Sequence, residues 1–548
     1  MNPVRLVRLK SAGSRWPSRR LRLERDADAR HGRWVRHPHA SMAAYRFTPA
    51  FFENRSVSGK PMDIGQLLRR QSERRPQHPA LIHQDRVVDF RELDRRVESV
   101  RRQLLERGIR QGTPVGIILP NCLEFAYLYL ALMRMGAIAA PMDVRLGAPE
   151  LSDLLAHCAI RHAFAAADFV HAQSLPASVQ LIPTSALVLD QPPPDAPPAP
   201  IDPQATALYL HTSGTTGLPK VVELSFANLD CFPQAMTMLG TGADEVLAMV
   251  LPMSHISGPI LLNEMLDKGS SLVIIDRLSG AHLLEAIERY RISFIHAVPP
   301  IFQMMLAAEP ETYDLSSLRV AAMMGTSVPL AVMQAFKARL PHVKVLQGYG
   351  LTETSPLLTL TPPAQADGHL DSIGRAVPMG EVFIADGQGR PLRPGQVGEI
   401  VARGPMVMKG YLNNPQATAA RIHNGLLHTG DAGKQDADGF FYHLGRLDDQ
   451  IVTGRGLNVY PAEVENALLL HPAVMDAAVV GIQDAAEQGQ IVVAYVIARD
   501  PVPSVTELRR HCLKHLAAYE VPKRFVFVSE LPRNATGKVV RERLRQTG

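Results

Sequence analysis

Thr206-Ala-Leu-Tyr-Leu-His-Thr-Ser-Gly-Thr-Thr-Gly-Leu-Pro-Lys220 is a short apolar run followed at once by glycines, hydroxyls and a lysine. The run reads as a buried strand over 206–210, and the remainder as a loop at its end. Across Thr212, Ser213, Gly214, Thr215, Thr216 and Gly217, glycines let backbone N–H groups turn inward toward an anion, while Thr and Ser hydroxyls add donors. Lys220 adds positive charge. The stretch is no Walker A loop, because Leu-Pro separates Gly217 from Lys220 and no Ser or Thr follows the lysine. A solvated Ser/Thr/Gly loop would share its composition, so its meaning depends on what surrounds it.

On both sides of this loop, short apolar runs alternate with helical spacing. Residues 80–82 and 87–90 read as a hairpin, 91–107 as an amphipathic helix ending at Gly108, 115–119 as a buried strand and 125–135 as a helix. Further strands are expected at 246–250, 272–275, 294–298, 320–323 and 343–346, with helices over 281–290 and 330–340 between them. Strands alternating with helices imply parallel sheets with covering helices. The proline run 191–200 reads as a stiff linker. After Gly380 the texture changes to short strands and Gly/Pro turns, which suits a small barrel. Past Arg446 a compact α+β unit is expected, with strands at 477–481 and 492–497 and a helix over 505–516.

At 548 residues the chain is too long for one core, so at least two domains are expected. Hydrophobic residues at 46% and charged residues at 20% are ordinary for a soluble globular protein. The longest apolar stretch, 115–140, is broken by Asn121, Glu124 and Arg134, so no transmembrane segment is read. Four scattered cysteines with no CxxC pair point to a reducing, cytoplasmic compartment and away from a zinc site. The net charge of +5 is misleading. Residues 1–41 hold eleven Lys/Arg against three Asp/Glu, so the other residues sum to −3. The basic balance belongs to one tail, read over 1–45 as a disordered extension with Met42 as an alternative start, and no nucleic-acid partner follows from it.

A second cluster, Gln347-Gly-Tyr-Gly-Leu-Thr-Glu-Thr-Ser355, reads as a loop just past another buried strand. Gly350 lets the chain approach a nucleotide, Tyr349 offers a stacking face, Thr352 a phosphate donor, and Glu353 a hard oxygen ligand suited to Mg²⁺. His428-Thr-Gly-Asp431 places a carboxylate after a tight turn, where it can take two ribose hydroxyls. Gly445-Arg-Leu-Asp-Asp449 and Leu531-Pro-Arg-Asn-Ala-Thr-Gly-Lys538 follow. A lysine such as Lys538 on a mobile loop is suited to neutralising charge on a transferring phosphorus. Taken singly, each of these has a bland reading as a glycine turn or a solvated charge.

In this order, with Leu251-Pro-Met-Ser-His255 and the stretch from Gly398 to Leu412, they resemble the adenylate-forming superfamily of acyl-CoA synthetases, carrier-domain adenylation modules and firefly-type luciferases. The resemblance runs from about Met62 to Arg545. It implies a large N-terminal domain (46–445) of two α/β subdomains plus a small β-barrel. A hinge (446–449) joins it to a smaller mobile α+β C-terminal domain (450–548), with monomer or homodimer both open. It also implies that the loop from Thr212 to Lys220 holds the β,γ-phosphates of ATP, with Thr216 as a further metal ligand. Gly325, Thr326, Ser327, Gln347, Gly348 and Tyr349 would frame the adenine. Thr352 would meet the α-phosphate and Glu353 the magnesium. Asp431 and Arg446 would bind the ribose and Asp448 would be the hinge. His255 would gate the acyl pocket, Gly456 would sit in the loop facing the thiol site, and Lys538 would be the catalytic lysine. The implied activity is an acid–thiol ligase forming acyl-AMP and then acyl-CoA.

The chain departs from the family pattern in three ways: Val221 stands where the family usually has Gly, Ser225-Phe226 stands where it has a Ser/Thr-His pair, and the loop from Thr453 to Asn458 looks one residue longer. ATP chemistry looks intact, whereas coenzyme A and a carrier-protein phosphopantetheine both stay open as acceptor. A non-catalytic binder is disfavoured, because it would need neither Lys538 nor both carboxylates. Small and apolar residues around Ser257, Gly258, 323–327 and Leu357, with no basic residue for a second carboxylate, point to a plain monocarboxylic acid of medium or long chain.

Overall fold

Seven strands form the sheet that carries the 206–220 stretch. Thr206–Thr212 runs parallel to Ile138–Pro141, and the parallel order continues through Pro114–Ile118, His162–Ala165 and Gln180–Pro183. On its other side it pairs antiparallel with Lys220–Ser225, Thr212 opposite Lys220, and Gly410–Tyr411 closes that edge. The two ends of the glycine-rich loop are therefore a hydrogen-bonded strand pair. The computed structural model describes residues 64–194, 197–212, 220–533 and 539–547. The basic tail, residues 213–219 and Lys538 lie outside the described residues.

A nine-stranded sheet lies beside it in sequence. Its six central strands are parallel, in the order Lys344–Tyr349, Val320–Met323, Phe294–Ala297, Val246–Met249, Ser271–Ile274 and Pro79–His83. The expected hairpin is present as Pro79–His83 against Arg86–Asp89. Asp89 starts the following helix, Phe90–Glu106, by accepting from the Glu92 N–H at 2.8 Å. The helix Leu123–Met135 is buried almost all round, which explains its unbroken apolar sequence, and Gly136 ends it in the left-handed region at φ 71°.

After Gly380 the short segments form a five-stranded antiparallel sheet from Glu381–Ala385, Val397–Arg403, Leu426–Gln435, Ile422–His423 and Phe441–Arg446. Past it come the hairpin Ile451–Val452 with Asn458–Val459 and the three-stranded sheet Val474–Asp484, Gly489–Ala498 and Arg524–Phe527. The result is a mixed α/β fold with a large N-terminal domain and a smaller C-terminal one. No helix among the described residues is long and apolar enough to cross a membrane.

Four local differences from expectation have physical causes. The strand expected at 343–346 runs on to Tyr349, so Gln347, Gly348 and Tyr349 are strand residues and not loop residues. The helix expected to reach 516 ends at Cys512, where the chain tightens into turns whose N–H groups of Lys514 and His515 reach back three residues. Phe226, standing where the family usually has His, opens the helix Phe226–Ala235, which Ser225 caps with Asn228 in a reciprocal capping box. The start of the proline run is strapped down: Arg102 donates to the carbonyls of Pro192 and Pro193, and the Gln191 N–H donates to Ser99.

Candidate active site

In parallel sheets the loops leaving the carboxyl ends of neighbouring strands converge on one crevice. Here the adjacent strands Val246–Met249, Phe294–Ala297, Val320–Met323 and Lys344–Tyr349 lead toward His255, Gly325 and Glu353. Asn121, from the loop after Pro114–Ile118, fixes the first of these loops. Its amide donates to the carbonyls of Leu251 and Ile275 at 3.1 Å each and accepts from the Met253 N–H at 2.7 Å. His255 is exposed, and its Nδ1 meets the Ser257 hydroxyl at 3.0 Å.

Glu353 sits in a single 3₁₀ turn, Thr352–Thr354, directly after the strand, and is buried. The Tyr411 hydroxyl donates to its Oε1 at 2.7 Å. On the other side of the same tyrosine, the Lys220 ammonium lies 5.1 Å from the ring centroid. Tyr411 reaches this position because Gly410–Tyr411 is an edge strand against Lys220–Ser225. Asn228 secures the approach by donating to the carbonyls of Pro405 and Val407. One side chain thus joins the foot of the glycine-rich loop to the buried carboxylate. Burial, and then the Glu353 charge, push the Tyr411 hydroxyl's pKa up, so it remains a donor.

Asp431, on Leu426–Gln435, is the second buried carboxylate. Tyr349 donates to its Oδ2 at 2.6 Å, Arg446 approaches Oδ1 at 3.2 Å and His443 at 3.8 Å. Burial opposes its charge, but His443, Arg446 and Tyr349 overcome that and hold its carboxyl below the usual range. The Tyr349 ring also lies 5.6 Å from that of His443. Gly430 leaves room on the opposite side of the strand. A Cβ there would come within 3.0 Å of Arg421 and 3.1 Å of Arg446, and its φ is 70°.

The remaining expected residues divide. Gly325, at φ 91°, with Thr326 and Ser327 follows the strand beside Gln347. Gln347 is buried and donates its amide to the Leu370 carbonyl at 2.6 Å, so it braces the wall. Gly350 is required by its own chain: a Cβ would lie 1.7 Å from the Pro356 carbonyl oxygen. Gly258 is likewise closed, with the Met253 carbonyl 2.2 Å from a would-be Cβ, so it offers no open wall to an acyl group. Arg446 and Asp448 lead from the five-stranded sheet into the C-terminal region, where Asp449 is held by Arg545 at 2.9 Å. Gly456, at φ 71°, has open space around it.

The AMP-binding enzyme model matches residues 68–412, and its C-terminal domain model matches 463–538. The chain belongs to the AMP-binding enzyme family. A feruloyl-CoA synthase from Amycolatopsis is 32% identical over 478 residues, covering 86% of this chain and 96% of that one. The solved O-succinylbenzoate coenzyme A synthetase of Bacillus subtilis, in complex with the acyl-adenylate intermediate, is 31% identical with a TM-score of 0.79. It covers 89% of this chain and 98% of its own. The same synthetase in complex with ATP and magnesium ion also gives 31% identity and a TM-score of 0.79, covering 89% and 99%.

For a family member, three residues at this site went unread in the sequence. Tyr411 lies within the stretch from Gly398 to Leu412, for which the resemblance implies no role of its tyrosine. His443 and Arg421 lie outside every matched motif, and only the pairing of Leu426–Gln435 with its neighbours brings them in.

Proposed function

We propose that this chain is an acid–CoA ligase that activates a monocarboxylic acid as its acyl-AMP at the expense of ATP, then passes the acyl group to coenzyme A, releasing pyrophosphate and AMP. The observation that carries this is the pair of buried carboxylates, Glu353 and Asp431, each oriented by a tyrosine hydroxyl at the carboxyl end of the parallel sheet. The named relatives, a feruloyl-CoA synthase and a succinylbenzoate synthetase bound to ATP and magnesium, support it.

Two anions, the acid and the triphosphate, must meet in line, so positioning and neutralisation carry most of the rate. Lys220 and the loop from Thr212 to Gly217 hold the terminal phosphates, Thr352 the α-phosphate, and Asp431 with Arg446 the ribose hydroxyls. Gly325, Thr326, Ser327 and the strand from Gln347 to Tyr349 flank the base. No group of three or more His, Cys, Asp or Glu that could hold a metal occurs among the described residues. A cation held by one carboxylate plus substrate phosphates fits this donor set, since Tyr411 engages Glu353 through one oxygen. Glu353, with Thr216, would hold a magnesium ion, which when bound neutralises phosphate charge. Residues 446–449 act as the hinge between domains spanning 46–445 and 450–548, and His255 stands at the acyl side. A cytoplasmic enzyme is consistent with this chemistry. The apolar Met323, Met324 and Leu357 would accept a medium- or long-chain fatty acid, and they would equally cover an aromatic ring.

Acid-dependent pyrophosphate release, followed by loss of free coenzyme A thiol, tests the reading. Thioester formation on a carrier-protein phosphopantetheine in preference to coenzyme A would overturn the acceptor. Lys538→Ala is expected to slow acyl-AMP formation by about 10²–10³-fold. Given synthetic acyl-AMP and coenzyme A, the same variant should make thioester near the parent rate. Equal damage to both half-reactions would argue against two working conformations.

A further inference from the structure

One polar chain leads from His255, at the acyl side, to a buried imidazole that this chemistry does not use. Ser257 opens the helix Ser257–Lys268, and its hydroxyl lies between two imidazoles: His255 Nδ1 at 3.0 Å and His296 Nε2 at 3.3 Å. His255 is exposed, whereas His296, in the strand Phe294–Ala297, is 4% exposed. The line therefore runs from the crevice into the interior. His296 stands opposite Ala322, which stands opposite Leu346, and directly opposed residues share a face of the sheet. Gly348, two residues past Leu346, lies on that face as well. The atoms nearest to a Cβ on it would be those of Met324, Leu357 and Leu360. On that face the neighbour of His296 on the next strand, Ala322, is small, and the residues around Gly348 are apolar.

The second ring nitrogen of His296, Nδ1, is buried and has no hydrogen-bond partner among the described residues. Buried polar atoms are almost always paired, so an unmade bond in an apolar layer beside a substrate crevice calls for a partner from outside the chain. Resting on the ligase reading above, we propose that His296 is a specificity-determining residue that hydrogen-bonds a hydroxyl on the ring of an aromatic acid, buried as the acid is activated. A hydroxyl both donates and accepts, so it satisfies Nδ1 whichever tautomer the Ser257 bond selects. A second carboxylate does not suit the position. Burial, and then the nearby His255, lower the His296 pKa to about 4, so the ring is neutral near pH 7 and offers no countercharge.

The test compares kcat/KM for pyrophosphate release with matched acids: 4-hydroxycinnamate against cinnamate, 4-hydroxybenzoate against benzoate, and octanoate. The parent enzyme should prefer the hydroxylated member of at least one pair by about tenfold or more, because a hydrogen-bonding site rejects the analogue that leaves it unpaired. His296→Leu should bring that ratio close to one by raising KM for the hydroxylated acid, leaving KM for ATP unchanged. His296→Gln, which keeps a hydrogen-bonding group, should retain part of the preference. A parent ratio near one, octanoate outrunning every hydroxylated acid, or an intact ratio in His296→Leu would each overturn the assignment, a buried water then being the simple partner of Nδ1. The parent ratio needs no variant, so a misfolded His296→Leu leaves the test decisive. No acid-dependent pyrophosphate release with any of the five would overturn the ligase reading and this inference with it.

Discussion

Glu353 and Asp431 are both buried carboxylates that accept from a tyrosine hydroxyl, yet the two ends of the site complete them differently. Asp431 also has Arg446 and His443 within 4 Å, so its charge is matched before any ligand arrives. Among the described residues Glu353 has only Tyr411 on its carboxylate, with the Lys220 charge held away behind the ring. A buried carboxylate so lightly matched is costly unless a cation joins it. One end is thus built to present a prepared hydrogen-bond acceptor to neutral hydroxyls. The other is built to be finished by charge that comes with the substrate.

Substitution can break this contrast at either end. Glu353→Gln keeps the shape and the Tyr411 bond but removes the charge. It should lower acyl-AMP formation by about 10²–10³-fold and raise the magnesium needed for half-maximal rate. A loss confined to KM for the acid would show that Glu353 does not serve the triphosphate. Asp431→Asn should be milder in rate, raising KM for ATP by about tenfold. It should also cost about 1–3 kcal/mol in urea unfolding, because Arg446 and His443 lose a buried partner. Tyr411→Phe should cost a few-fold to about tenfold in acyl-AMP formation, with the larger share when magnesium is limiting. An effect equal to that of Glu353→Gln would mean the hydroxyl itself meets substrate.

The smallest expected effect is one of pH. The Asp431 carboxyl titrates below its ordinary value of 3.8 when folded, with burial outweighed by its partners. A depressed carboxylate adds stability that is complete above the unfolded value and is lost as pH falls through the folded one. The urea-stability gap between parent and Asp431→Asn should therefore stay flat from pH 8 to 5 and close only below about 3.8. A gap that closes well above that pH would assign the effect to a group other than Asp431.

Much of this was readable in order along the chain. The parallel strands at 246–249, 294–297 and 320–323 were legible because each is a short, continuous apolar run with a helical period after it. Glu353, Asp431 and Arg446 were legible because glycines and hydroxyls punctuate the chain around them. Tyr411, His443 and Arg421 were not, since their role depends on sheet pairing between segments far apart in sequence, such as Tyr411 opposite Val222. Gly350 and Gly258 were legible as glycines, but the backbone that excludes a side chain at each was not. His296 resembled any residue of a buried strand, and only the neighbouring Ser257 sets it apart.

The fastened proline segment bears on how the chain could be divided. The seven-stranded sheet draws Ile138–Pro141 from before that segment and Thr206–Thr212 from after it, joined by parallel pairing at Ala139 and Leu208. Arg102 and Ser99 grip residues 191–193 from the helix Phe90–Glu106. A protease site engineered at the exposed residues 197–200 should therefore yield two pieces that separate on a denaturing gel yet elute as one particle under native conditions. Covalent continuity there is dispensable to a sheet that both pieces complete, and split-protein reporters could exploit that position.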